Sequence, residues 1–132
     1  MNTTASLMRS LLAAFGDADA IVELLTEDAE WWITPTVGVL GSPSRGRESI
    51  GSSMQTIFRD LYADAEAEVH MVLADGERAS ARFTLRARAQ FFGGKPYENE
   101  YCIWIERSGD KIAKVWEYLD VAHVTGQFAG ED

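Results

Sequence analysis

Cysteine, histidine and proline are scarce in this chain of 132 residues: one, two and three, respectively. The single thiol, Cys102, excludes an internal disulfide, and two histidines leave little material for a zinc site. Basic side chains are also few, 12 against 21 acidic ones, for a net charge of −9. Neutralising phosphates requires a basic face, so this balance argues against a nucleic-acid partner. Long apolar runs are missing as well. The stretch Leu11-Leu12-Ala13-Ala14-Phe15 ends at once in Gly16-Asp17, whereas a signal peptide needs a longer run and a membrane span about 20 residues. The expectation is a soluble, cytoplasmic protein with no membrane partner.

What is present is an ordinary globular composition, 46% hydrophobic, with no linker, repeat or low-complexity tract. One domain over residues 1–132 is expected. Helical spacing comes first and strand patterning afterwards, the order of an α+β domain. Thr3 or Thr4 can cap a first helix through Leu7, Leu11, Ala14 and Phe15, which Gly16 can end. Asp17 or Asp19 caps a short second one with Ile21, Leu24 and Leu25. Glu30 to Thr34 reads as a strand that Pro35 stops. After a Gly-, Ser- and Pro-rich loop over 38–46, Ile50, Met54, Ile57, Phe58 and Leu61 form the stripe of a third helix. Four strand-like segments follow, about 66–74, 78–92, 96–107 and 111–120. They are separated by Asp75-Gly76, Gly93-Gly94 and Ser108-Gly109-Asp110, all hairpin chemistry. A short helix or coil over 121–128 closes the chain. The predicted fold is a curved antiparallel sheet covered on one face by three N-terminal helices.

Strand alternation makes the two faces readable. Ala79, Ala81, Phe83, Leu85, Ala87, Ala89 and Phe91 form the inner row of their segment, and Arg82, Thr84, Arg86, Arg88 and Gln90 the outer one. Pairing opposite charges across the next hairpin (Arg88 with Glu100, Gln90 with Glu98, Arg82 with Glu106) places Tyr97, Asn99, Tyr101, Ile103 and Ile105 inside. The last strand then contributes Ala113, Val115, Glu117 and Leu119. Tyr101 is expected opposite Glu117. A two-residue turn at Asp75-Gly76 brings His70 inside, opposite Ala81, and a slip or bulge would turn it out. Glu117 is the one misfit on an apolar row, where a lone carboxylate costs several kcal/mol unless paired or neutralised. Either it makes a structural hydrogen bond with Tyr101, or the polar cluster lines a ligand cavity with a carboxylate of raised pKa.

The runs Tyr97-Glu98-Asn99-Glu100-Tyr101-Cys102, Gly109-Asp110-Lys111-Ile112 and Trp116-Glu117-Tyr118-Leu119-Asp120 resemble the SnoaL-like proteins. So do Glu27-Asp28-Ala29-Glu30-Trp31 and Gly46-Arg47-Glu48-Ser49-Ile50. That family lies in the nuclear transport factor 2-like superfamily, and the resemblance implies a cone-shaped sheet wrapped around helices, the cystatin-like α+β barrel. Members include polyketide cyclases, ketosteroid isomerases, limonene epoxide hydrolases and dehydratases. A last-strand carboxylate serves as acid–base group in several of them, and Glu117 matches it. The epoxide hydrolases add an Arg and an Asp two residues apart on an earlier strand, for which Arg86 and Arg88 offer no Asp. The isomerases carry an Asp before a proline where this chain has Thr34-Pro35.

These readings make Glu117, Tyr101, Asn99 and His70 the candidate catalytic residues. Glu117 would move a proton, Tyr101 and Asn99 would hold a carbonyl or enolate oxygen, and His70 would shuttle protons. Trp31, Trp32, Met54, Phe58, Phe83, Tyr97, Ile103, Val115 and Leu119 are the candidate walls for a small apolar or carbonyl-containing ligand. No phosphate loop or metal-spaced ligand set implies a cofactor. The chemistry would be that of an isomerase, cyclase or dehydratase. A non-catalytic ligand-binding or accessory domain is the alternative. On the outer face Trp104, Trp116 and Tyr118 stand among arginines, an interface composition that predicts a homodimer through the sheet, as in similar proteins.

Overall fold

A computed structural model describes residues 3–33, 43–90, 93–120 and 123. Three α-helices are found there: α1 (Thr4–Ala13), α2 (Ala18–Glu23) and α3 (Arg47–Thr56). Thr3 caps α1, its hydroxyl accepting from the Ser6 N–H at 3.0 Å. Asp17 caps α2 in the same way through the Ala20 N–H at 3.1 Å. Each cap satisfies one of the donors that a helix start leaves without an intrahelical partner. Gly16 makes the corner between the two helices with φ of +99°, and a Cβ there would stand 2.6 Å from the Ala65 carbonyl oxygen. The stripe predicted to run on to Leu61 instead leaves α3 at Thr56 and finishes as a π-helical turn over Ile57–Leu61.

The strands are β1 (Leu25–Ile33), β2 (Ser44–Arg45), β3 (Tyr62–Asp75), β4 (Arg78–Ala89), β5 (Lys95–Ser108) and β6 (Lys111–Leu119), ordered β2-β1-β6-β5-β4-β3. The meander β3 to β6 is antiparallel, as expected. β1 lies parallel to β6, so the sheet is mixed and open. β1 also starts earlier than predicted. Leu24 and Leu25 leave the helix because the Leu24 carbonyl accepts from the Ile112 N–H at 2.8 Å, which starts the parallel pairing. The Pro35 stop, the inward Phe91 and, apart from His123, the 121–128 segment fall outside the described residues.

α1 lays Leu7, Met8, Leu11 and Leu12 against the sheet, where they are buried with Phe83, Ile103, Ile105, Ile112 and Val115. The predicted inner rows of β4 and β5 are the buried ones. Their register differs from the charge-matched expectation by four residues: Ala89 pairs with Lys95 rather than with Asn99. Arg78 therefore meets Glu106 (3.1 Å), Arg86 meets Glu68 and Glu98, and Arg88 meets Asp64. An even shift preserves the faces, so the inner row survives the change. Among the described residues no helix is long and apolar enough to cross a membrane.

Candidate active site

Glu117 lies on the helix-covered face of β6, opposite Ile103 of β5 and Ile33 of β1. The Tyr101–Glu117 pairing is thus corrected: a two-residue turn that sets Ser108 opposite Lys111 and a bulge beside Glu106 and Arg107 each shift the register by one, which moves Tyr101 opposite Leu119. The partner of the carboxyl is Trp31, whose indole Nε1–H donates to Oε1 at 2.8 Å. Parallel pairing makes this possible, since Trp31 sits beside Val115, one inner position from Glu117. The residue as a whole is half-buried, and its carboxyl group is the enclosed part. Burial raises its pKa to about 7, while the Trp31 N–H pulls it down. Desolvation penalises the ionised form more than one hydrogen bond restores.

Next to it runs a chain of phenols. Tyr97 and Tyr101, both buried, share a hydrogen bond of 2.8 Å between their hydroxyls. The Tyr62 ring lies 4.6 Å from that of Tyr97. All three have raised pKa values, primarily through burial, with the Glu117 charge adding to the effect. They are therefore neutral hydrogen-bonding groups near neutral pH. Asn99, 2% exposed, donates from Nδ2 to the Tyr97 hydroxyl (3.4 Å) and to the Asp120 carbonyl (3.2 Å). Phe83 stacks on Tyr101 at 5.2 Å, and Phe15 stands edge-on to Phe83 at 5.5 Å.

Of the residues singled out from sequence, Glu117, Tyr101, Asn99, Tyr97, Phe83 and Trp31 belong to this cluster. Phe58 reaches it through Phe15, its ring 6.3 Å away. Met54, Ile103 and Val115 are buried in the core, and Leu119 is half-buried against it. Two placements are corrected. His70 is the extra residue of a bulge between Val69 and Met71 and turns to the outer face. There its Nε2 lies 2.7 Å from the Thr84 hydroxyl, which donates to Glu100 at 2.6 Å. Trp32, adjacent to inward Trp31, takes the opposite face beside Trp116. Tyr62 and Phe15 escaped the sequence reading. A second bulge between Ala63 and Glu66 cancels the parity change of the first and leaves Tyr62 opposite inward Ala89, at the start of a strand expected only from about residue 66. Phe15 read as ordinary helix core. Cys102 is half-buried, opposite the outer residues Arg82 and Tyr118. Among the described residues no three His, Cys, Asp or Glu side chains cluster as metal ligands would.

A helix-covered, six-stranded mixed sheet with a polar cluster on its covered face is the ketosteroid isomerase-like α+β fold. The chain belongs to the SnoaL-like domain family, whose profile matches residues 9–115. Among solved structures it is similar to a candidate SnoaL-like polyketide cyclase from Jannaschia (TM-score 0.83, 12% identity, covering 98% of this chain and 93% of that one). It is also similar to a candidate polyketide cyclase from Pseudomonas putida (0.80, 24%, 98% and 100%). A third is a ketosteroid isomerase-like protein from Catenulispora acidiphila in complex with trimethylamine (0.80, 15%, 96% and 94%). None of the curated proteins matches significantly in sequence.

Proposed function

We propose that the chain is an acid–base enzyme acting on a small, largely apolar, carbonyl-bearing molecule, as a cyclase, isomerase or dehydratase. The observation that carries this reading is the Glu117 carboxyl, enclosed on an apolar face with a pKa of about 7 and one oxygen held by Trp31. Near neutral pH such a group exists in both protonation states, which suits a residue that takes a proton and returns it. In the proposed step the carboxylate accepts a proton from the carbon beside the carbonyl. The C–H electron pair moves toward the carbonyl oxygen, and the neutral phenols of Tyr101 and Tyr97 stabilise the resulting enolate. Returning the proton to another carbon gives isomerisation, whereas attack of the enolate carbon on a second carbonyl gives ring closure. The candidate cyclases among the structural relatives support this class of chemistry.

Glu117→Gln should lower turnover by about 10²–10⁴-fold across a panel of ketones, enoyl compounds and lactones. Full activity in that variant would remove the catalytic role. A second reading rests on the inner rows of β4, β5 and β6, where Glu117 is the one carboxylate. A binding domain without turnover would hold ligands from that panel and yield no product from any.

The outer face supports a second proposal, a homodimer through the sheet. Trp104 and Tyr118, 45% and 48% exposed, line a groove of about 310 Å³ with Arg78, Ile105 and Trp116. Register places Leu73, Ser80, Trp104, Trp116 and Trp32 in one row across five strands. Aromatic residues beside arginine are the usual composition of an interface centre.

A further inference from the structure

The Asn99 carboxamide has its donors engaged and its acceptor idle. Nδ2 faces the Asp120 backbone carbonyl at 3.2 Å, and a carbonyl can only accept, so this contact fixes which end of the amide is nitrogen. Nδ2 also reaches the Tyr97 hydroxyl. Oδ1 is buried and has no hydrogen-bond partner, although the residue is 2% exposed. Buried acceptors are almost always satisfied, by protein groups or by ordered water, so this one is open to a donor that the fold itself does not supply. Asn99 therefore cannot hold a carbonyl or enolate oxygen, the role its residue type suggested. What it can still do is accept.

We propose that Asn99 is a specificity-determining residue whose Oδ1 accepts a hydrogen bond from a hydroxyl of the ligand. This rests on the inner-face site described above and extends it. Position in the sheet sets where that hydroxyl must be. Glu117 is level with Ile103, four residues along β5 from Asn99, about 13 Å between backbones, and the side chains converge from there: the hydroxyls of Tyr97 and Tyr101, equally spaced on β5, are 2.8 Å apart. Between them lie the Tyr101 hydroxyl and the Phe83–Tyr101 stack. The ligand class is consequently a flat molecule that carries both an enolisable carbonyl and a separate hydroxyl. A compact monofunctional ketone would leave Oδ1 unpaired.

The probes are acetylnaphthalene and its analogue with a hydroxyl on the distal ring, titrated calorimetrically into the wild type, Asn99→Leu and Glu117→Gln. The hydroxylated probe should bind the wild type about tenfold more tightly, the worth of one buried hydrogen bond. Asn99→Leu should bring the two probes within about twofold, and Glu117→Gln should leave the preference intact. Equal binding of both probes to the wild type overturns the role of Asn99 while leaving the inner-face site standing. A preference that survives in Asn99→Leu, or vanishes in Glu117→Gln, overturns it too. Should Asn99→Leu fail to fold, the wild-type and Glu117→Gln comparison decides alone. Failure of either probe to bind at millimolar concentration overturns the inner-face site itself, and this inference with it.

Discussion

Glu117 should make the protein less stable as the pH rises, opposite to the usual behaviour of a paired surface carboxylate. Its pKa is raised from 4.5 to about 7 in the folded chain, so the folded state binds this proton more tightly than the unfolded state does. Below pH 4.5 both states are protonated and the group costs nothing. Between pH 4.5 and 7 the unfolded chain releases the proton first, and stability falls through that window to a plateau above it. A shift of about 2.5 units at 1.36 kcal/mol each amounts to about 3 kcal/mol. Glu117→Gln keeps an oxygen for the Trp31 N–H and removes the titration, so the variant should gain about 3 kcal/mol over the wild type between pH 4.5 and 8. Urea denaturation of both proteins at both pH values measures this as a double difference. Other carboxylates and the two histidines then cancel. At ordinary urea sensitivities the relative midpoint should move by roughly 1–3 M. Parallel pH–stability curves for the two proteins would refute the enclosed carboxyl, and with it the chief support for proton transfer. A gain in stability coupled to loss of turnover would mark Glu117 as a group retained at a cost to the fold.

Trp31→Phe removes the indole hydrogen bond to that carboxyl. A bond to a charged group contributes about 1.5–3 kcal/mol, so the pKa of Glu117 should rise by about 1–2 units, read from the ¹³C shift of its labelled carboxyl carbon. An unchanged titration would show that Trp31 does not hold the ionised form. On the outer face, Trp104→Glu should convert a sedimenting dimer into a monomer at micromolar concentration with little change in secondary structure. A wild type that already sediments as a monomer would rule out the sheet interface.

The face assignment was readable from residue order because side chains alternate along a strand regardless of what the strand pairs with. The inner rows of β4 and β5, and the inward position of Glu117, follow from that rule alone. Where the pairing slipped by an even number, as between Arg88 and Glu100, the faces stayed correct although each ion pair changed partner. Bulges broke the rule. One sits at His70 and another between Ala63 and Glu66. An extra residue reverses the parity of everything beyond it, so the first bulge turned His70 out of the candidate site and the second restored the original parity, leaving Tyr62 on the inner face. Nothing in the local sequence marks either bulge.

By itself the sequence determined the layout of an α+β fold, helices before a four-stranded meander, and the single carboxylate on its apolar row. Hydrophobic period, caps and turn residues are local, so they can be read without knowing what packs on what. The parallel docking of β1 on β6 was decided only in three dimensions, because it joins segments far apart in the chain. That one contact brings the Trp31 indole to Glu117 and balances its desolvation against a hydrogen bond. The scarcity of cysteine, histidine and basic residues narrowed the chemistry to carboxyl, phenol and amide groups. The tertiary structure then determined how those groups are arranged: the carboxyl bound to an indole, the phenols linked to one another, and the amide with its oxygen vacant.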